Sequence, residues 1–220
     1  MQQEPIVATK PIIEIKALGT CFNDIWVHKN LNLTILPGEF IAITGPSGCG
    51  KTTLLKIMMG LLLPMAGEIL INNTNIQDIG IQQYRRHIAA VMQNDCLLAG
   101  SIADNIALFA KQPDYQHIER AATLAGIAKD IKNMPMQYHT LVGDMGSTLS
   151  GGQQQRIFLA RALYANPKIL FLDEATSHLD IETEHAVNKA IQQLNITRIV
   201  IAHRRETVEA ADRIIQLKPT

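Results

Sequence analysis

Phe40-Ile-Ala-Ile-Thr44-Gly45-Pro-Ser-Gly-Cys-Gly-Lys51-Thr52 is the stretch of this 220-residue chain that decides its fold. Phe40–Thr44 is a short apolar run of the kind that forms a buried strand, and Pro37-Gly38 before it marks a turn. The next eight residues fit G-x-x-x-x-G-K-[ST], and a helix is expected from about Lys51 to Met59. Glycines at this junction let the backbone wrap closely, so that successive amide N–H groups point at an anion. The new helix adds the positive end of its dipole to the same place. Gly45, Ser47, Gly48, Cys49, Gly50, Lys51, Thr52 and Thr53 are therefore read as a phosphate cradle, with Lys51 reaching the β- and γ-phosphates of a nucleotide. The Thr52 hydroxyl is expected to bind Mg²⁺. Chance produces such a pattern in about one chain in a hundred of this length, and the strand–loop–helix setting argues further against a plain glycine turn. Cys49, inside the loop at a helix N-terminus, is expected to be a reactive thiol whose alkylation blocks nucleotide binding.

Outward from the loop, Ile12–Ala17 and Leu31–Ile35 are β-like runs separated by turn residues such as Gly19, Asn23 and Asp24, which suggests a small, mainly antiparallel sheet. Glu68–Ile71 and Ile88–Met92 read as further short strands. Ser101–Leu163 turns helical, with an alanine-rich stretch at Ala121–Ala128, and is the candidate for an inserted helical subdomain. Ile169–Leu172, Ile196–Ala202 and Ile214–Leu217 read as strands. In Ile181–Leu194 the apolar residues Val187, Ala190, Ile191 and Leu194 share one helical face. Strands alternating with helices imply a parallel sheet covered on both faces.

Two further motifs carry chemistry. The strand Ile169–Leu172 runs into Asp173 and Glu174. A carboxylate at the end of a buried strand beside a phosphate loop suits an outer partner of Mg²⁺, which is the role read for Asp173. Glu174 is then placed to act as general base on an attacking water. Leu149-Ser-Gly-Gly-Gln153 precedes a helix expected from about Gln154 to Tyr164. Ser150 there is either an ordinary N-cap or the start of a second phosphate-binding surface.

Formal net charge is zero, with 47% hydrophobic and 18% charged residues, so the basic footprint of a nucleic-acid binder is absent. Three scattered cysteines (Cys21, Cys49, Cys96) form no CxxC pair, which points to a reducing compartment. No apolar run approaches the ~20 residues needed to span a bilayer.

Taken together, these motifs resemble the nucleotide-binding domain of the ATP-binding cassette (ABC) transporter family over nearly the whole chain. Gly45–Thr52 matches its Walker A motif, Ile169–Asp173 its Walker B motif and Leu149–Gln153 its signature. The resemblance implies an α/β fold with a P-loop NTPase core, a small antiparallel β subdomain and an inserted α-helical subdomain. The implied division is residues 10–95 and 165–220 for the core and 96–164 for the helices, within one ATPase domain. It also implies roles for single residues. Gln93 corresponds to the glutamine that senses Mg²⁺ and the attacking water, and His203 to the switch histidine at the γ-phosphate. Asp180 falls in the loop that crosses between subunits, where His178 replaces the usual alanine. Phe22 stands where the family places an aromatic that stacks on the base. Ser150, Gly151, Gly152 and Gln153 would contact the nucleotide of a second copy in a head-to-tail homodimer around two ATP–Mg²⁺.

Thr140–Gly146, with Asp144 where a glutamate is usual, and Ser101–Ile106 resemble exporter segments. Asn133–Met136, Gln153–Ile157 and Asn195–Arg198 resemble bacteriocin exporters of the colicin V type. The implied partners are transmembrane domains and, through them, a peptide cargo. The implied location is the cytoplasmic face of a membrane, with this chain itself soluble. An importer ATPase and a soluble non-transport ATPase of the same superfamily remain as alternatives. GTP also remains open, because Asn188-Lys189 lacks only the final Asp of a guanine reader.

Overall fold

The computed structural model describes residues 10–143, 149–174 and 180–219. Asp144–Gly146 of the exporter-like loop, and Ser177 and His178, lie outside them. The chain opens with a hairpin of β1 (Ile13–Phe22) and β2 (Ile25–Ile35). Its two-residue turn, Asn23-Asp24, has positive φ at both positions (48° and 63°), which matches the twist of a tight hairpin. These strands are longer than the apolar runs suggest. Gly19 lies within β1 and is not a turn: a Cβ there would meet Trp26 and Ala66 at 3.2 Å. Next come β3 (Phe40–Thr44), α1 (Lys51–Met58) and β4 (Ala66–Ile71). The short elements β5 (Thr74–Asn75), α2 (Ile76–Ile79) and α3 (Ile81–Arg85) had no periodic signal, and they lead into β6 (Ile88–Val91).

The expected helical stretch begins with β7 (Gly100–Ser101) and α4 (Ile102–Ile106). It continues through α5 (Tyr115–Leu124), α6 (Ala128–Lys132) and a 3-10 turn at Gln137–His139. The short β8 (Leu141–Val142) pairs back onto β7, a small sheet the helical reading did not foresee. Nor is Ala121–Ala128 one helix, because Gly126 (φ 71°) breaks it between α5 and α6. The rest is α7 (Gly151–Tyr164), β9 (Ile169–Asp173), α8 (Ile181–Gln192), β10 (Thr197–Ile201), α9 (Arg205–Glu209) and β11 (Arg213–Gln216).

A five-stranded parallel sheet, ordered β11-β3-β10-β9-β6, forms the centre, and a four-stranded antiparallel sheet, β2-β1-β4-β5, lies apart from it. Side chains alternate along the central strands, so two cores form. Ile41, Ile43, Phe171, Ile199 and Ile201 pack with α1 and the antiparallel sheet. Phe40, Ala42, Leu170, Leu172 and Val200 pack on the other face with α4, α5, α7 and α8. Each buried Ile, Leu or Phe contributes roughly 1.5–3 kcal/mol of transfer free energy. The continuous apolar runs of β3, β9 and β10 are thus what holds both layers to the sheet. Of the face expected on α8, Val187 and Ile191 are buried, while Ala190 and Leu194 are half-buried. Register aligns the strand ends: Ile201 stands beside both Ile43 and Asp173, and Val91 beside Leu172. Whatever follows β3, β6, β9 and β10 therefore emerges along one edge, where open parallel sheets bind ligands.

Candidate functional site

That edge carries a cleft of about 340 Å³ lined by, among others, Ser47, Lys51, Thr52, Gln93, Glu174 and His203. The loop after β3 sets its floor. Gly48 (φ 79°) has, among the described residues, nothing within 4 Å of the place a Cβ would occupy, so its backbone is open to a ligand. Gly50 (φ 90°) is the N-cap of α1, and a Cβ on it would strike Val27 and His28 of β2 at 2.3 and 2.8 Å. Any larger residue would have to lift the loop off that strand. The Lys51 ammonium donates to the Gly45 and Pro46 carbonyls at 2.8 and 3.0 Å. A phosphate oxygen would be a stronger, charged partner for it.

Two short hydrogen-bonded groups complete the chemistry. Thr52 Oγ1 donates to Asp173 Oδ2 at 2.9 Å. Burial raises the Asp173 carboxyl above the ordinary carboxylate pKa, opposed by the Thr52 hydrogen bond and reinforced by the Glu174 charge. A carboxylate so placed is stabilised by a cation. Among the described residues no cluster of three or more His, Cys, Asp or Glu forms a metal cage. One hydroxyl and one carboxylate fit an ion that keeps waters and substrate phosphates as its other ligands.

Glu174 lies at the centre of the second group. Gln93 Nε2 donates to its Oε2 at 3.4 Å, and His203 Nε2 lies 3.0 Å from its Oε1. Its backbone is left-handed, with φ 55°. That conformation costs a non-glycine residue about 1 kcal/mol or more and collects at functional sites. The turn out of β9 thus spends backbone strain to hold this carboxylate between two side chains from different strand ends.

The remaining expected residues fall elsewhere. Gly45 and Cys49 lie behind the cleft: the Cys49 thiol is buried, and a Cβ on Gly45 would meet it at 2.8 Å. The reactive thiol expected at Cys49 is corrected by this packing against the core. Gly50 and Thr53 line the cleft. Phe22 is exposed at the hairpin tip and does not line it, although Val27 of the same hairpin does. Ser150, Gly151, Gly152 and Gln153 are also outside the cleft. They begin α7, where Ser150 and Gln153 form a reciprocal capping box. The helix accordingly starts three residues before the expected Gln154. Asp180 caps α8, accepting from Thr183 N at 2.8 Å. Buried polar anchors that periodicity did not reveal include Asn105, Glu184 and half-buried Arg161. A second cleft, about 360 Å³ around Asp114, His117 and Arg120, is lined by none of the residues read as nucleotide-binding, metal-binding or catalytic.

Comparisons with known proteins agree with this geometry. The family profile described as "ABC transporter" matches residues 28–177. The chain is 54% identical over 191 residues to the colicin V secretion/processing ATP-binding protein of Escherichia coli, covering 87% of this chain and 27% of that protein. A probable microcin secretion/processing ATP-binding protein of Escherichia coli is 53% identical over the same shares. The chain thus spans about a quarter of the length of these relatives. Among solved structures, a bacterial Atm1-family ABC exporter with ATP bound superposes with a TM-score of 0.90 at 32% identity, over 100% of this chain and 40% of that one. The α/β architecture is that of a P-loop NTPase, and the chain belongs to the ABC transporter family, as one of its ATP-binding domains.

Proposed function

We propose that this chain is the ATP-hydrolysing domain of an ABC exporter, and that it works as a head-to-tail pair around two ATP molecules. The observation that carries this reading is the convergence of Lys51, Thr52, Asp173, Glu174, Gln93 and His203 on one cleft, while Ser150–Gln153 lie outside it. In this reading the loop amides and Lys51 hold the β- and γ-phosphates. Thr52, Asp173 and Gln93 hold Mg²⁺, which when bound neutralises charge on those phosphates. Glu174 accepts the proton of the attacking water, Gln93 orients that water, and His203 steadies the Glu174 carboxylate and meets the γ-phosphate. Phe22 stacks on the base from the hairpin. Ser150, Gly151, Gly152 and Gln153, with Asp180, belong to the nucleotide site of the second copy. The core (10–95 and 165–220) and the helical part (96–164) then act as two lobes of one domain.

Membrane domains elsewhere in the transporter would turn the ATP cycle into export, with this domain on the cytoplasmic face. A bacteriocin-like peptide is the cargo suggested by the colicin V and microcin secretion relatives. Among the described residues, no helix is long and apolar enough to cross a membrane.

Glu174→Gln tests the reading. It should leave ATP binding near the parent level, lower kcat by about a hundredfold or more and accumulate an ATP-bound dimer in size-exclusion runs. Undiminished hydrolysis would remove Glu174 from its role as base.

A further inference from the structure

Glu184 is a carboxylate that the cleft does not use, yet it is only 3% exposed. It sits in the first turn of α8, where its own N–H donates to the Asp180 carbonyl at 3.0 Å. An acid in that turn complements the helix dipole, but a solvated one would do so equally well. Burial of the charge instead demands partners, and the two with known geometry come from a different element. Arg204 Nη1 donates to Glu184 Oε2 at 3.0 Å, and the buried Thr207 hydroxyl donates to Oε1. Arg204 immediately follows His203 and is the N-cap of α9, while Thr207 lies in the only full turn of that helix. One carboxylate therefore joins two segments, the one that delivers His203 to Glu174 and the one that Asp180 caps. The same α8 turn abuts Gly126, where a Cβ would come 3.7 Å from the Thr183 methyl. The Gly126 carbonyl in turn accepts from Arg156 of α7 at 2.9 Å.

We infer that Glu184 is a positioning residue for ATP hydrolysis: it locks the His203 segment to the Asp180 turn, so that the cleft and the edge offered to a second copy move as one unit. The inference rests on the ATPase reading above. Glu184 touches no reacting atom in this arrangement and acts through His203 and Asp180. Its loss should slow turnover without loosening nucleotide binding, because the phosphate loop is built from other elements.

Steady-state ATPase kinetics of the full chain test this. Glu184→Gln keeps an acceptor for Thr207 and removes the charge that holds Arg204. It should lower kcat by roughly three- to thirty-fold and leave the KM for ATP within about twofold of the parent. Arg204→Gln should do the same, Arg204→Lys should recover most of the loss, and the Glu184→Gln/Arg204→Gln pair should be no slower than the slower single variant. An unchanged kcat in folded Glu184→Gln, a fall in Tm alone, or effects of the two substitutions that multiply would overturn the inference. If Glu184→Gln does not fold, Thr207→Val, which removes one hydroxyl donor, is judged by the same criteria. Glu174→Gln run in parallel separates the two claims. Full activity there defeats the ATPase reading itself, whereas an inactive Glu174→Gln beside an unimpaired Glu184→Gln defeats only the positioning role.

Discussion

Cys49 and His28 meet the phosphate loop from its hidden side, and each has a measurable consequence. Sequence context made Cys49 look accessible, because glycines flank it and a helix follows. The left-handed turns at Gly48 and Gly50 rotate the intervening side chain inward, to 5% exposure in the core cluster with Leu54 and Leu217. A maleimide should therefore label exposed Cys96 first and Cys49 far more slowly, with or without ATP. Peptide mass spectrometry distinguishes the two, and fast ATP-protected labelling of Cys49 would contradict the packing. His28 is 4% exposed, with its ring packed against the Gly50 backbone. Burial lowers its pKa below 6.5, with the Gly50 backbone pulling weakly the other way. The unfolded chain then takes up this proton first as the pH drops, so stability is fully present above about 6.5 and declines below it. The decline levels off once the folded imidazole itself protonates. His28→Leu should consequently lose less Tm than the parent between pH 7.5 and pH 5.5, as read by thermal melts on both proteins. Equal losses would mean that the imidazole is not buried in its neutral form.

At the scale of elements, the Leu98–Ser101 stretch after β6 is tied to α4 by the Asn105 amide. Asn105 of α4 accepts from Leu98 N at 2.9 Å and donates to the Leu98 and Ser101 carbonyls at 2.8 and 3.0 Å. Arg161 of α7 adds bonds to the Asn105 side chain at 2.8 Å and to its carbonyl at 2.9 Å. Asn105→Leu keeps the volume and strands these buried groups, so it should cost roughly 3 kcal/mol of stability, measured by urea unfolding. A loss below about 0.5 kcal/mol, the range of an ordinary surface change, would show that the segment is held by other means. This network also marks where the sequence was opaque. The central strands were legible because continuous apolar runs such as Ile169–Leu172 have few other fates, and the loop was legible because its glycines have fixed spacing. Asp173 and Glu174 were legible as the acids that end such a strand, whereas His203 was singled out only through the family resemblance. Asn105 and Glu184 were not, because periodicity registers apolar faces and a buried polar residue looks like a solvated one until its partners are placed. Gly126 was lost in an alanine-rich stretch for a similar reason: only its left-handed backbone separates α5 from α6. Gly19 misled in the other direction, since close approach by Trp26 and Ala66 explains that glycine without any turn.

For the whole molecule, the decisive fact is that the signature residues begin α7 outside the cleft built by their own chain. Ser150 and Gln153 satisfy each other in the capping box, with Ser150 N to Gln153 Oε1 at 3.0 Å and Gln153 N to Ser150 Oγ at 3.2 Å. In the head-to-tail pair proposed above, this α7 N-terminus would complete the nucleotide site of another copy. A C2 pair arranged head to tail would present each α7 N-terminus, with its dipole, to the other copy's phosphates. The arrangement makes a quantitative demand on mixtures. A chain carrying both Lys51→Ala and Ser150→Arg, mixed with an equal amount of parent chain, gives parent, mixed and doubly substituted dimers in about a 1:2:1 ratio under random pairing. If each site is assembled within one chain, the mixed dimer keeps one working site, and ATPase activity falls to about half. If sites are shared, both sites of the mixed dimer carry a lesion, one at Lys51 and the other at Ser150, and activity falls to about a quarter. Loss of the Ser150 cap costs α7 about 1 kcal/mol, so melts of the doubly substituted chain must show that it is folded at the assay temperature. Mixing at several ratios then separates a linear dependence on the parent fraction from a squared one, and a linear result would rule out the shared site.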